Sequence, residues 1–132
     1  MQLQSKNRKK YVLLAHIIFT VKYRKRILNE YEDFIKDSFR KISKTYDFKI
    51  LEIGIDKDHV HILISYNPNQ TISKIVKSLK QVSTYNIWLS FEDKLQKIFY
   101  NKRVFWSSGY FVSSVGEFNE DIIFEYIRNQ GK

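Results

Sequence analysis

Two histidines, His59 and His61, stand one residue apart in the segment Asp58-His59-Val60-His61-Ile62-Leu63-Ile64-Ser65. The order of polar and apolar residues there is that of a β-strand. Strand side chains alternate faces, so the two imidazoles point the same way, about 6.5 to 7 Å apart along the strand. Val60, Ile62 and Ile64 take the opposite face. Two imidazoles on a rigid backbone can chelate one divalent metal. The chain has only 3 histidines, and this segment holds two of them. Spacing alone is equally consistent with two histidines filling polar slots on a half-exposed sheet. A metal site also needs a third ligand. His16 is one option, but it shares a face with Leu14 and Ile18, where a buried, hydrogen-bonded histidine is the commoner arrangement.

The C-terminal segment offers another ligand. Tyr126 and Gln130 are four apart, so on a helix they stack on one face. Ile122, Ile123 and Ile127 flank them on that side, so the pair should face protein. A core tyrosine with an incidental glutamine is the commoner case, since tyrosine is often part-buried. The chemical reading gives Gln130 an amide oxygen for a metal and Tyr126 a phenol aimed at what the metal polarises. A tyrosine can attack a phosphodiester and become covalently linked to it. A divalent cation would polarise the scissile phosphate.

The surroundings suit that substrate. The 132 residues carry 23 Lys+Arg against 14 Asp+Glu, a formal charge of +9. The cations cluster: Lys6, Arg8, Lys9 and Lys10; then Lys22, Arg24, Lys25 and Arg26; then Lys102 and Arg103. Aromatics lie beside them, including Tyr11, Tyr23, Phe105 and Trp106. Most charge runs are solvated surface, but clustered cations with stackable rings fit a nucleic-acid strand. The absence of cysteine excludes disulfides, thiolate zinc sites and cysteine nucleophiles. Met1 to Lys10 is polar and basic, unlike a signal peptide, and the apolar run Tyr11 to Phe19 is too short to span a bilayer. The expectation is a cytoplasmic protein of a single domain, residues 1–132.

The elements that must position these residues follow from periodicity. Tyr11 to Val21 reads as a strand apolar on both faces, so both sides should be covered. Lys22 to Arg26 is a basic loop. Asn29 is placed to cap a helix, with Phe34, Ile35, Ser38, Phe39 and Ile42 at helical spacing up to Tyr46. Phe48 to Asp56 reads as a strand with Leu51, Ile53 and Ile55 on one face, and Lys57-Asp58 as the tight turn into the His59 strand. Pro68 breaks the chain; Thr71 then caps a long helix whose apolar stripe runs to Ile87. Lys94 to Phe99 reads as a separate short helix. Tyr110 to Val115 is the last strand, and Asn119-Glu120-Asp121 starts a final helix reaching Gln130. The order predicts an α+β, ferredoxin-like βαββαβ core over residues 11–116: a four-stranded antiparallel sheet with two helices on one face. The tyrosine helix, residues 117–130, follows it. A second copy or that helix is expected on the open side.

Five segments, in order, carry a resemblance. They are Ala15-His16-Ile17-Ile18-Phe19-Thr20-Val21-Lys22-Tyr23-Arg24-Lys25-Arg26, Asp58-His59-Val60-His61, Leu79-Lys80-Gln81-Val82-Ser83, the stretch from Trp106 to Gly116, and Tyr126-Ile127-Arg128-Asn129-Gln130. Together the sequence resembles the single-tyrosine transposases of small insertion sequences that move as single-stranded DNA, members of the HUH superfamily. The resemblance implies the ferredoxin-like sheet and an obligate homodimer joined through it. It implies that His59, His61 and Gln130 bind Mg²⁺ or Mn²⁺, and that Tyr126 cuts single-stranded DNA, keeps the 5′-phosphate and leaves a 3′-OH that later rejoins strands. The tyrosine helix in that family can dock on the partner's histidine pair, giving composite active sites. Subterminal DNA hairpins at the element ends are the expected partners. Lys22, Arg24, Lys25, Arg26 and Lys80 are the candidate DNA contacts.

Other readings are weaker. A non-catalytic single-strand RNA or DNA binding module of the same fold would stack bases on sheet aromatics. Here the strands present histidines and aliphatics instead. A His-x-His-x-Asp-His metallo-hydrolase is absent, because Leu63 and Ile64 stand where its aspartate and histidine would be. Transesterification conserves the phosphodiester bond energy, so no Gly-rich nucleotide loop is needed, and none is present.

Overall fold

The computed structural model describes residues 12–118. Its elements are β1 (Val12–Thr20), α1 (Glu32–Thr45), β2 (Lys49–Asp56), β3 (His59–Tyr66), α2 (Ile72–Phe99) and β4 (Phe111–Phe118). All strand pairs are antiparallel, and the order across the sheet is β2-β3-β1-β4. This is the expected βαββαβ core. Of the expected tyrosine helix, residues 117–130, Glu117 and Phe118 belong instead to β4, where they pair with Leu13 and Val12 of β1, and the rest lies outside the described residues.

One face of the sheet meets the helices. Ala15, Ile17 and Phe19 of β1 and Val60, Ile62 and Ile64 of β3 join Ile35 and Phe39 of α1 and Leu79 and Ile87 of α2 in one buried cluster. Rings fill its centre: Phe19 stands edge-on to Trp106 with centroids 4.9 Å apart, and Phe105 to Trp106 at 4.8 Å. The buried indole of Trp106 donates from Nε1 to Ser83 Oγ at 2.9 Å, and Ser83 donates on to the Leu79 carbonyl. Ser83→Ala would leave the Trp106 N–H unpaired in the core, a loss of about 1–3 kcal/mol. Urea denaturation should show a lower midpoint with an unchanged slope; an unchanged midpoint would mean that the bond contributes nothing.

Three local readings differ from the structure. Asn29 does not cap α1; Tyr31 occupies the cap position without a side-chain bond, and residues 28–31 form a 3₁₀ turn. Asn29 Oδ1 instead accepts from the Lys57 N–H at 3.1 Å, a partner 28 residues away that local pattern does not reveal. The helix that reads as two pieces is one, kinked at Phe91, whose φ of −132° and ψ of 34° interrupt the ladder. The kink seats the Phe91 ring against Tyr31 and Phe34, with centroids at 4.9 and 5.2 Å. On β2 the register shifts between Ile50 and Glu52, so Leu51 is an extra residue and the core-facing set is Ile50, Ile53 and Ile55. The Thr71 cap is as read: its side chain accepts from the Lys74 N–H at 3.2 Å.

On the other face of the sheet, Leu14 and Leu63 are also buried, whereas His61 is exposed and His59 half-buried. That opening is where the histidines stand.

Candidate functional site on the sheet

His59 and His61 leave β3 on the face away from the helices. Their immediate neighbours are fixed by pairing. His59 lies opposite Asp56 on β2 and Thr20 on β1; His61 lies opposite Gly54 and Ile18. Both flanking strands are hydrogen-bonded to β3, so the backbone under the pair is held on two sides. His16 sits on the same face, opposite Leu63, one row beyond His61.

Gly54 explains how the His61 ring lies. A Cβ built at position 54 would come within 2.6 Å of the ring's Cε1 and 2.8 Å of its Cδ2. The imidazole therefore lies across the bare backbone of the glycine. A glycine inside a strand pattern often marks such a close approach, and this is the signal by which Gly54 could have been found.

The turn before His59 is unusually well tied. Asp58's carbonyl accepts from the Val21 N–H and Lys57's carbonyl from the Leu28 N–H, both at 2.8 Å. With the Asn29 bond, three of the turn's backbone groups are tied to residues 21–29. Side chains continue the link: Arg24 Nε donates to Asp58 Oδ2 at 2.8 Å, and Asp58 Oδ1 lies 3.1 Å from His59 Nδ1. Hydrogen bonds from His59 first, and then from Arg24, hold the Asp58 carboxyl below its ordinary range.

The basic residues divide by what they already do. Arg24 is spent on Asp58 while staying largely exposed. Lys80 donates to the carbonyls of Ser107 and Gly109 at 2.8 and 2.7 Å and lies over the rings of Phe19 and Tyr110. Burial pulls its ammonium below the usual lysine range. Lys80 thus fastens the loop before β4 to α2. Arg26 is exposed, and Lys22 and Lys25 are half-buried.

Tyr126 and Gln130 lie outside the described residues, so the structure does not relate them to the pair. Among the described residues, no three His, Cys, Asp or Glu side chains gather as a metal site. Two imidazoles on one rigid face, one with a carboxylate on its Nδ1, are nonetheless a donor set that fits a divalent cation once further oxygen ligands arrive.

Comparison with known proteins gives the class, a DNA-processing enzyme of the transposase kind. The family model described as "Transposase IS200 like" matches residues 9–130. The ISDra2 transposase TnpA of Deinococcus radiodurans is 31% identical over 121 residues, covering 91% of this chain and 85% of that protein. The transposase for insertion sequence element IS200 of Salmonella typhimurium is 33% identical over 116 residues, covering 87% and 74% respectively. A solved structure from Deinococcus radiodurans R1 superposes with a TM-score of 0.74 at 28% identity, over 97% of this chain and 98% of that one. The structure of a REP-associated tyrosine transposase bound to a REP hairpin shares the fold, with a TM-score of 0.60 at 12% identity over 94% of this chain and 68% of that one. The chain belongs to the IS200-like transposases. Among its described residues, no helix is long and apolar enough to cross a membrane.

Proposed function

We propose that this protein cuts and rejoins single-stranded DNA at insertion-sequence ends through a 5′-phosphotyrosine intermediate. The observation that carries the reading is the His59–His61 pair on the open face of a doubly supported strand, in a chain of this family. Tyr126 is the nucleophile. Its phenol oxygen attacks the scissile phosphorus; the P–O3′ bond breaks, and the departing 3′ oxygen takes a proton. The 5′-phosphate stays on tyrosine. In the second step a 3′-OH attacks that phosphotyrosine, a new P–O3′ bond forms and the phenol is released. One ester replaces another at each step, so no nucleotide is consumed.

His59, His61 and Gln130 would hold Mg²⁺ or Mn²⁺, which supplies charge neutralisation at the scissile phosphate. The chain's own part is to fix that position against the sheet and to exclude competing geometries.

Hairpin DNA is the proposed partner; the hairpin bound to the REP-associated relative supports it. Lys22, Lys25 and Arg26 are the proposed phosphate contacts, since Arg24 and Lys80 have protein partners. A homodimer through the sheet is supported by β4, which is an outer strand among the described residues and exposes Phe111 by 61% and Val112 by 39%. Paired edges would satisfy its free backbone groups and cover those side chains.

The test is cleavage of a labelled, hairpin-bearing single strand with Mg²⁺ or Mn²⁺. EDTA should stop it and added Mn²⁺ restore it. Cleavage that persists in EDTA would remove the metal from the scheme.

A further inference from the structure

The metal reading leaves Arg24 and Asp58 without a task, yet both are held in costly or specific geometry. Tyr23 and Arg24 have positive φ values of 60° and 52°. Neither is glycine, and such conformations are strained and persist only where their surroundings enforce them. The segment is tied to the loop before β4, through the Lys22 N–H and the Phe105 carbonyl, and to the turn before His59. Val21, just ahead of the strained pair, donates its N–H to the Asp58 carbonyl, and the Arg24 side chain reaches Asp58 Oδ2. The other carboxylate oxygen faces His59 Nδ1.

We infer that Asp58, oriented by Arg24, is a positioning residue that fixes the tautomer and ring angle of His59. An ionised carboxylate only accepts hydrogen bonds, so His59 Nδ1 must carry the proton. The neutral ring is then left with its lone pair on Nε2, the atom available to a cation. Free imidazole has no such constraint, and its ring would also turn about its side-chain bonds. Arg24 occupies the second oxygen with Nε, which stops the carboxylate from rotating away. The basic loop thus acts through Asp58 on the metal ligand, in addition to any contact its other cations make with DNA. Carboxylate partners of ligating histidines typically contribute 10–100-fold to metal affinity.

This inference rests on His59 being a metal ligand, and the experiment separates the two. Long-range ¹H–¹⁵N spectra of the full chain, free of metal and at a pH where imidazoles are neutral, report the His59 tautomer. Mn²⁺ affinity is read by EPR of the free ion. The unsubstituted chain should show the Nδ1–H form and bind Mn²⁺. Asp58→Ala should shift His59 towards the Nε2–H form and weaken Mn²⁺ by about tenfold or more. Asp58→Asn keeps an acceptor oxygen and should retain the Nδ1–H form. Arg24→Ala should give an intermediate loss. The Trp106 indole resonance should stay in place in all of them, marking an intact core.

An Nε2–H His59 in the unsubstituted chain overturns the inference, whatever the metal does. Weaker Mn²⁺ binding in Asp58→Ala with an unchanged tautomer also overturns it, because Asp58 would then be a ligand itself. Nδ1–H at His59 with no Mn²⁺ bound by the unsubstituted chain defeats the metal reading, and the inference falls with it for a different, identifiable reason.

Discussion

Replacing His61 by alanine will abolish strand cleavage and leave both the fold and DNA binding in place. His61 is exposed on the face of the sheet away from the helices, so its loss opens no cavity in the core. Surface substitutions of this kind change stability by no more than about 0.5 kcal/mol. The cations proposed to contact phosphate lie in the Lys22–Arg26 loop, on other residues. What the substitution removes is one of two imidazoles on a single strand. Neutralising charge on a phosphoryl oxygen contributes several kcal/mol to a transition state. A loss of about 4 kcal/mol is roughly a thousandfold in rate. Cleavage and hairpin binding measured side by side decide the matter. If both fail together, His61 is holding the structure up and not the chemistry.

Gly54→Ala will also cost activity heavily, though less than the loss of His61, in a protein at least as stable as the original. The position lies mid-strand on β2, directly opposite His61. A new methyl group would overlap the His61 ring. The overlapped atoms are the free end of an exposed side chain, so the ring swings aside at little cost to the fold. Alanine is also better than glycine within a strand by roughly 0.5–1 kcal/mol. The imidazole, however, cannot return to its place over the backbone. A displacement of about 1 Å at a reacting centre can reduce rate about a hundredfold. Cleavage rate and thermal midpoint should therefore move in opposite directions. A Gly54→Ala chain that cuts at the original rate would show that the ring's position over β2 is irrelevant to function.

The histidine face was legible in the sequence because strand periodicity is two and rigid. Once Val60, Ile62 and Ile64 are assigned to the core, His59 and His61 must face away from it. The same rule recovered the sheet and the Lys57-Asp58 turn. It failed where one residue broke the period. Leu51 is an inserted bulge residue, so the apolar set of β2 shifts to Ile50. Phe91 breaks the helical ladder, so α2 reads as two helices. Asn29 has the composition of a cap but serves a turn distant in sequence. Lys80 stands among the candidate DNA contacts but is committed to loop carbonyls. The link from Arg24 through Asp58 to His59 is the same kind of fact. Asp58 adjoins the histidines in every reading, yet its function depends on a guanidinium 34 residues away. Short-range pattern carries elements and faces; it does not carry the partners that the tertiary fold supplies.

The central claim is that Tyr126 becomes covalently joined to DNA. The direct measurement is to incubate the chain with labelled hairpin-bearing single strand and Mn²⁺, isolate protein that retains label in denaturant, and map the modified peptide. The expected result is an adduct on the fragment carrying the 5′-phosphate, attached at Tyr126, a free 3′-OH on the other fragment, and no adduct from Tyr126→Phe. An adduct that survives Tyr126→Phe, or cleavage by the unsubstituted chain that releases both ends free of protein, would contradict it.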